Sequence, residues 1–111
     1  MKEDMMTQAA GEMLRSLGAV LHGHFLLSSG LHSPVYIEKF QLVQRPEITV
    51  ELCRSIAERF AGESVATVAG PTTGGAILAF EVARQLGTRS IFAERSATGG
   101  REFRRGFTLE T

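Results

Sequence analysis

The chain is predicted to be an α/β protein, and three features of its 111 residues predict it. From Ser64 to Glu94 a β-rich run, a Gly/Thr loop, a helical run and a second β-rich run follow one another, the pattern of a βαβ unit. Two segments upstream carry apolar residues at helical spacing. Between those segments, two short strand-like runs flank a cluster of turn residues. With 43 % hydrophobic residues, a core for one small domain is available.

The first helix is expected from about Glu3 to Leu17, with Met6, Ala9 or Ala10, Met13, Leu14 and Leu17 on one stripe and Gly18 as its stop. A hairpin should follow, with strands Phe25 to Ser29 and Val35 to Glu38 around the turn residues Gly-Leu-His-Ser-Pro. Period-two alternation puts Tyr36 and Glu38 on one face and Ile37 and Lys39 on the other. An aromatic beside fixed charges suits a flat, polar, anionic ring; a solvated edge hairpin would carry the same residues. Pro46 opens a second helix to about Ala61, with Ile48, Leu52, Ile56 and Phe60 stepping by four and Glu51, Arg54 and Glu58 opposite.

In the βαβ unit, Ser64 to Ala69 and Ser90 to Glu94 are the strands, necessarily parallel with a right-handed crossover. Ala76 to Leu86 is the helix, ended by Gly87. Arg95 to Arg101 reads as a mobile loop, and Glu102 to Leu109 as a resumed strand with Phe103, Phe107 and Leu109 on one face. Two parallel strands are little for an α/β domain, so the sheet is expected to be incomplete.

The loop Gly70 to Gly75 leaves a strand and enters a helix, where glycines let backbone N–H groups converge and the helix start adds positive partial charge. The Thr72 and Thr73 hydroxyls can donate to the same anion. A tight βα turn needing glycine for close packing is the plainer alternative. Two sharper motifs are excluded: there is no Gly-x-Gly-x-x-Gly, and no Lys follows the glycines as in a nucleotide P-loop. Arg95 ends the second strand at its carboxyl end, where open α/β sheets bind ligands, and its fork suits phosphate oxygens.

Formal net charge is zero, so neither nucleic acid nor a membrane surface is implied as a partner. Lone Cys53 forms no internal disulfide, fits a reducing cytoplasm and reads as a packing residue. No run is long enough to span a bilayer. His22 and His24 share a strand face and His32 falls in the turn; without Cys or an acidic cluster beside them, no metal site is expected.

Phe25, Leu27, Ser29, Gly30, Ser33 and Pro34, followed by Tyr36 and Ile37, resemble the N-terminal signature of orotate phosphoribosyltransferases. The resemblance continues through Val68-Ala69-Gly70-Pro71-Thr72-Thr73-Gly74-Gly75 and Ile91-Phe92-Ala93-Glu94-Arg95, and covers the chain from about Leu14 onward. It implies the N-terminal part of a type I phosphoribosyltransferase fold: a helix and base-binding hairpin hood with the second helix over residues 1–62, then the first part of the core over 63–111. It implies transfer of a phosphoribosyl group from phosphoribosyl pyrophosphate to orotate, with Mg2+ carried by the former, in a cytoplasmic homodimer with shared active sites.

By that resemblance Thr72, Thr73, Gly74, Gly75 and Arg95 face the pyrophosphate, and Ser28, Tyr36, Ile37 and Lys39 meet orotate. Ser28 stands where many members have Lys, and Lys39 is a candidate replacement; Thr73-Gly74 replaces a Tyr-Lys pair. The segment after Arg95 matches a flexible catalytic loop that serves a neighbouring subunit. Its Lys and His are absent, leaving Arg101, ahead of Arg104 and Arg105, as the catalytic candidate. Glu94 occupies the place of a second basic residue. The acidic pair and Thr/Gly loop that cradle ribose 5-phosphate are missing and expected beyond Thr111, so the 111 residues alone should be inactive. A non-catalytic module that binds a base or anion, or dimerises, is the alternative; a different base is disfavoured by the hairpin.

Overall fold

A computed structural model describes residues 2–108, with side chains from residue 8 onward. The Met6 side chain and Leu109 therefore lie outside the described residues. The chain divides into two compact units, residues 1–45 and 46–111.

The first unit holds α1 (Lys2–Ser16), β1 (Val20–Leu26), β2 (His32–Ile37) and a single helical turn, α2 (Phe40–Val43). Gly18, at φ +72°, ends α1 as expected, its N–H donating to the Arg15 carbonyl at 3.0 Å. Ala19 is buried at the junction, accepting from the Glu38 N–H at 2.7 Å, which ties the exit of the hairpin back to its entry.

The hairpin is antiparallel, but its turn differs from the expected one. It spans Leu27 to Leu31, closed by the Leu27 N–H on the Leu31 carbonyl at 2.8 Å, with Gly30 at φ +88°. His32, Ser33 and Pro34 belong to β2, not to the turn. Pro34 fits because β1 bulges there: Gly23 and His24 together oppose it between the His22–Val35 and Phe25–Ser33 pairs. A bulge removes the demand for the N–H that proline lacks.

The second unit holds α3 (Pro46–Phe60), β3 (Thr67–Pro71), α4 (Gly74–Leu86), β4 (Arg89–Arg95) and β5 (Arg101–Glu102). Pro46 opens α3, Glu47 lies in its first turn and Arg59 in its last, complementing the helix dipole. Glu51, Arg54 and Glu58 are exposed as expected. The buried stripe, however, is Thr49, Cys53 and Ala57, one residue along from the stripe predicted; Ile56 and Phe60 are 38 % and 46 % exposed. Small residues win because α3 packs on α4, whose buried residues are themselves Ala79, Val82 and Ala83. Cys53, Ala57 and Val82 form the core, with Val68, Leu78 and Leu86 packed on it. Gln85 links the two helices, donating to the Val50 carbonyl at 3.0 Å.

β3 and β4 pair in parallel, with Pro71 beside Ala93, as a βαβ unit requires. Gly87, at φ +72°, caps α4, and the Thr88 N–H returns to the Ala83 carbonyl at 3.0 Å. The segment after Arg95, expected as a loop, is a hydrogen-bonded hairpin turn: Ser96 N–H meets the Gly100 carbonyl at 2.8 Å, and β5 runs antiparallel to β4. The sheet is thus β3-β4-β5, three-stranded and mixed. The strand predicted to Leu109 ends at Glu102. No helix among the described residues is long and apolar enough to cross a membrane.

Candidate active site

The loop between β3 and α4 is shorter than its sequence suggested. β3 runs to Pro71 and α4 begins at Gly74, leaving Thr72 and Thr73 as the connection. The Thr72 N–H continues the parallel ladder onto the Ala93 carbonyl at 2.9 Å. The Thr72–Thr73 peptide is cis. Thr73 is the N-cap residue but makes no side-chain capping bond, so its exposed hydroxyl is uncommitted to the helix. Gly74 and Gly75 are the first helical residues, and N–H groups in a first turn have no acceptor within the helix.

Close packing makes the turn possible. A Cβ on Gly70 would overlap the Gly75 carbonyl, and one on Gly75 would meet Pro71 Cδ at 2.5 Å. Close approach thus accounts for both glycines, the plainer of the two readings offered by the sequence. Thr72 and Thr73, with Ala76, Ile77, Phe80 and Phe92, line an open pocket of about 350 Å³.

Arg101 reaches this loop. Its Nη1 donates to Thr72 Oγ1 at 2.8 Å and to the Ala93 carbonyl at 3.4 Å. Arg95, exposed at the end of β4, lies directly across the ladder from Arg101. The other two arginines are committed elsewhere: Arg104 Nε to Glu102 at 2.6 Å, and Arg105 to Glu94 through two nitrogens at 3.1 and 3.2 Å. Arg105 also lies over the Phe92 ring, 5.9 Å from its centroid, and Phe107 meets that ring edge-on at 5.1 Å. The Glu94–Arg105 link escaped sequence reasoning because it depends on a chain reversal around Arg105, whose φ is +62°.

The expected base-binding residues all fall in the first unit. Tyr36 stacks near Phe25, with ring centroids 5.6 Å apart, and Ile37 ends β2 half-exposed. Ser28 lies in the exposed turn, not in a strand, because the turn comes earlier than predicted. Strand alternation also stops at Ile37. The Glu38 carboxylate accepts from the Phe40 N–H at 3.1 Å, and Lys39, already helical in conformation, sets its ammonium over the Phe40 ring at 5.0 Å.

His24 and His32, separated by the supposed turn, instead meet across the strands, Nε2 to Nδ1 at 2.7 Å. No group of three or more potential ligands from His, Cys, Asp and Glu forms among the described residues. Cys53 is fully buried, its Sγ 3.7 Å from the Leu78 carbonyl. Burial, aided by the charge of Glu81, pushes its thiol up to about 11, which keeps it protonated and inert.

This arrangement of helices and strands recurs in solved structures. The UMP synthase of Leishmania donovani has a structure that aligns with 84 % of this chain and 21 % of its own, at a TM-score of 0.70 and 26 % identity. The orotate phosphoribosyltransferase of Aeropyrum pernix aligns over 77 % of this chain and 51 % of its own, at a TM-score of 0.56 and 30 % identity. The chain is part of a type I phosphoribosyltransferase fold. No family model matches it. In sequence it is 45 % identical over 105 residues to the orotate phosphoribosyltransferase of Chlorobium phaeobacteroides, covering 95 % of this chain and 54 % of that protein. It belongs with the orotate phosphoribosyltransferases, as an N-terminal half, and spans about half the length of the curated relatives it matches.

Proposed function

We propose that this chain is the part of an orotate phosphoribosyltransferase that holds the base and the leaving pyrophosphate. The observation that carries the reading is the Thr72–Thr73 connection: two hydroxyls, a helix start and a bound guanidinium converge at the carboxyl end of β3. In the reaction, the orotate nitrogen bonds to C1 of the ribose as the C1–oxygen bond to pyrophosphate breaks, through an oxocarbenium-like transition state. Negative charge grows on the departing oxygen. Thr72, Thr73 and the amides of Gly74 and Gly75 donate to it, and Arg95 and Arg101 neutralise it. Donors of this kind suit phosphate oxygens, not a cation. Magnesium accordingly belongs to phosphoribosyl pyrophosphate as its complex, where it needs few protein ligands.

The hairpin unit is assigned the base. Tyr36 supplies a ring face for orotate, Ile37 an apolar edge, and Ser28 and Lys39 are polar partners for its carbonyl and carboxylate groups. Nothing in residues 1–108 offers the paired acids and Thr/Gly loop that would anchor the ribose 5-phosphate. Remote anchoring is what positions the reacting carbon, so the chain by itself should bind without turning over. A homodimer in the cytoplasm completes the reading by resemblance.

Calorimetry with orotate and with inorganic pyrophosphate tests the assignment. Binding of both, with no orotidine 5′-phosphate formed from phosphoribosyl pyrophosphate, is expected. Binding of neither ligand overturns it.

A further inference from the structure

The register of the β1–β2 hairpin brings together two histidines that stand eight residues apart in the chain. His32 pairs with Leu26, and His24 sits two residues before Leu26, in the bulge opposite Pro34. Diagonal neighbours across an antiparallel ladder are within reach of long side chains, and a bulge re-aims the residue it holds. The result is direct contact. His24 Nε2 lies 2.7 Å from His32 Nδ1, with the ring centroids 4.8 Å apart and the ring planes at 49°. Both residues are exposed, so the contact meets solvent and not a packed core. As a hydrogen bond between solvated groups it contributes little to stability. Two imidazole nitrogens this close are also a pair of metal donors.

Imidazole nitrogens bind an ion at about 2.0–2.1 Å, so two at adjacent corners of a square lie about 2.9 Å apart, and two at tetrahedral corners about 3.3 Å. The observed 2.7 Å is nearer the square. Square-planar or tetragonal sites of nitrogen and oxygen suit Cu2+ or Ni2+, and Cu2+ binds the more tightly of the two. We propose that His24 and His32 form a two-histidine site for such an ion, Cu2+ above all, with water at its remaining positions. No group of three or more His, Cys, Asp or Glu forms among the described residues, so the site is open, unlike a closed structural zinc centre. Mg2+, which takes oxygen donors, has no place in it. From the sequence no metal site is expected, because His32 falls in the turn and no Cys or acidic cluster stands beside it. The register removes the first objection, and water completes the coordination in place of the second. A bound ion joins β1 to β2 beside the turn and so holds the register that the bulge sets.

Calorimetric titration of Cu2+ into the full chain, without added histidines, is the test. His24→Asn and His32→Asn should each weaken binding about tenfold or more, since either leaves a single imidazole. His22→Asn, on the same strand but before the bulge, should leave it unchanged. Ni2+ should compete for the same site more weakly than Cu2+, and excess Mg2+ should not displace Cu2+. Electron paramagnetic resonance of the one-to-one Cu2+ complex should show coupling to two imidazole nitrogens, falling to one in either variant. The spectrum of the unaltered chain needs no substitution, so the site stays open to disproof even where a variant fails to fold. Coupling to one imidazole in the unaltered chain, unchanged affinity in His24→Asn or His32→Asn, or an equal loss in His22→Asn overturns the site. Failure of the unaltered chain to bind Cu2+ does the same. None of these outcomes bears on the pyrophosphate reading of the second unit.

Discussion

Gly70 and Gly75 touch across the turn that leads into α4, and neither has room for a side chain. The neighbour in Gly70's way is backbone, which cannot swing aside. Gly70→Ala should therefore cost ~2–3 kcal/mol, read as a lower denaturation midpoint at unchanged slope. Cys53 makes a second prediction at this scale. Its thiol ionises near 9 when unfolded and is pushed up to about 11 in the fold. The folded state thus keeps a proton that the unfolded state gives up. The contribution is intact below about pH 9 and is lost as pH rises from 9 through 11. Denaturation profiles over that range should fall more steeply for the unaltered chain than for Cys53→Ala; parallel profiles would contradict the burial argument.

Elements whose ends carry their own chemistry are legible in the sequence. Gly18 and Gly87 stop α1 and α4 in the left-handed region, and Pro46 starts α3, because local sterics decide those positions. The hairpin register is not legible. Ser28-Ser29-Gly30 and Gly30-Leu31-His32-Ser33-Pro34 both offer turn chemistry, and the choice between them lies in a bulge on the opposite strand. Ser33 secures the chosen register: its Oγ donates to the Val35 carbonyl at 2.6 Å and accepts from the Val35 N–H at 3.1 Å, spanning Pro34. Ser33→Ala should cost about 1 kcal/mol and loosen the hairpin, seen as faster amide exchange at Val35 than at the Leu21–Tyr36 pair. The α3 stripe misleads for a related reason. Periodicity finds the large apolar residues, but helix contact at close range selects the small ones, Cys53 and Ala57. For the candidate site, the position of the Thr72 loop can be read from strand, turn and helix in order. The Arg101–Thr72 bond cannot, since it exists only through the β4–β5 register.

At the scale of the whole molecule, charge is balanced at zero and yet locally sorted: the hairpin acids Glu94 and Glu102 are paired with Arg105 and Arg104, while Arg101 turns to Thr72. The proposed attraction for pyrophosphate accordingly rests on one edge of the second unit and not on the chain at large. The half-length match to the orotate phosphoribosyltransferases is in keeping with the proposed role, in which this chain supplies groups for the base and the pyrophosphate. The most direct measurement is a nuclear magnetic resonance titration of the full chain with inorganic pyrophosphate. The account predicts that the amides of Thr72, Thr73, Gly74 and Gly75 and the guanidinium signals of Arg95 and Arg101 shift together along one saturating curve. Shifts confined to other residues, or none at all, would contradict it.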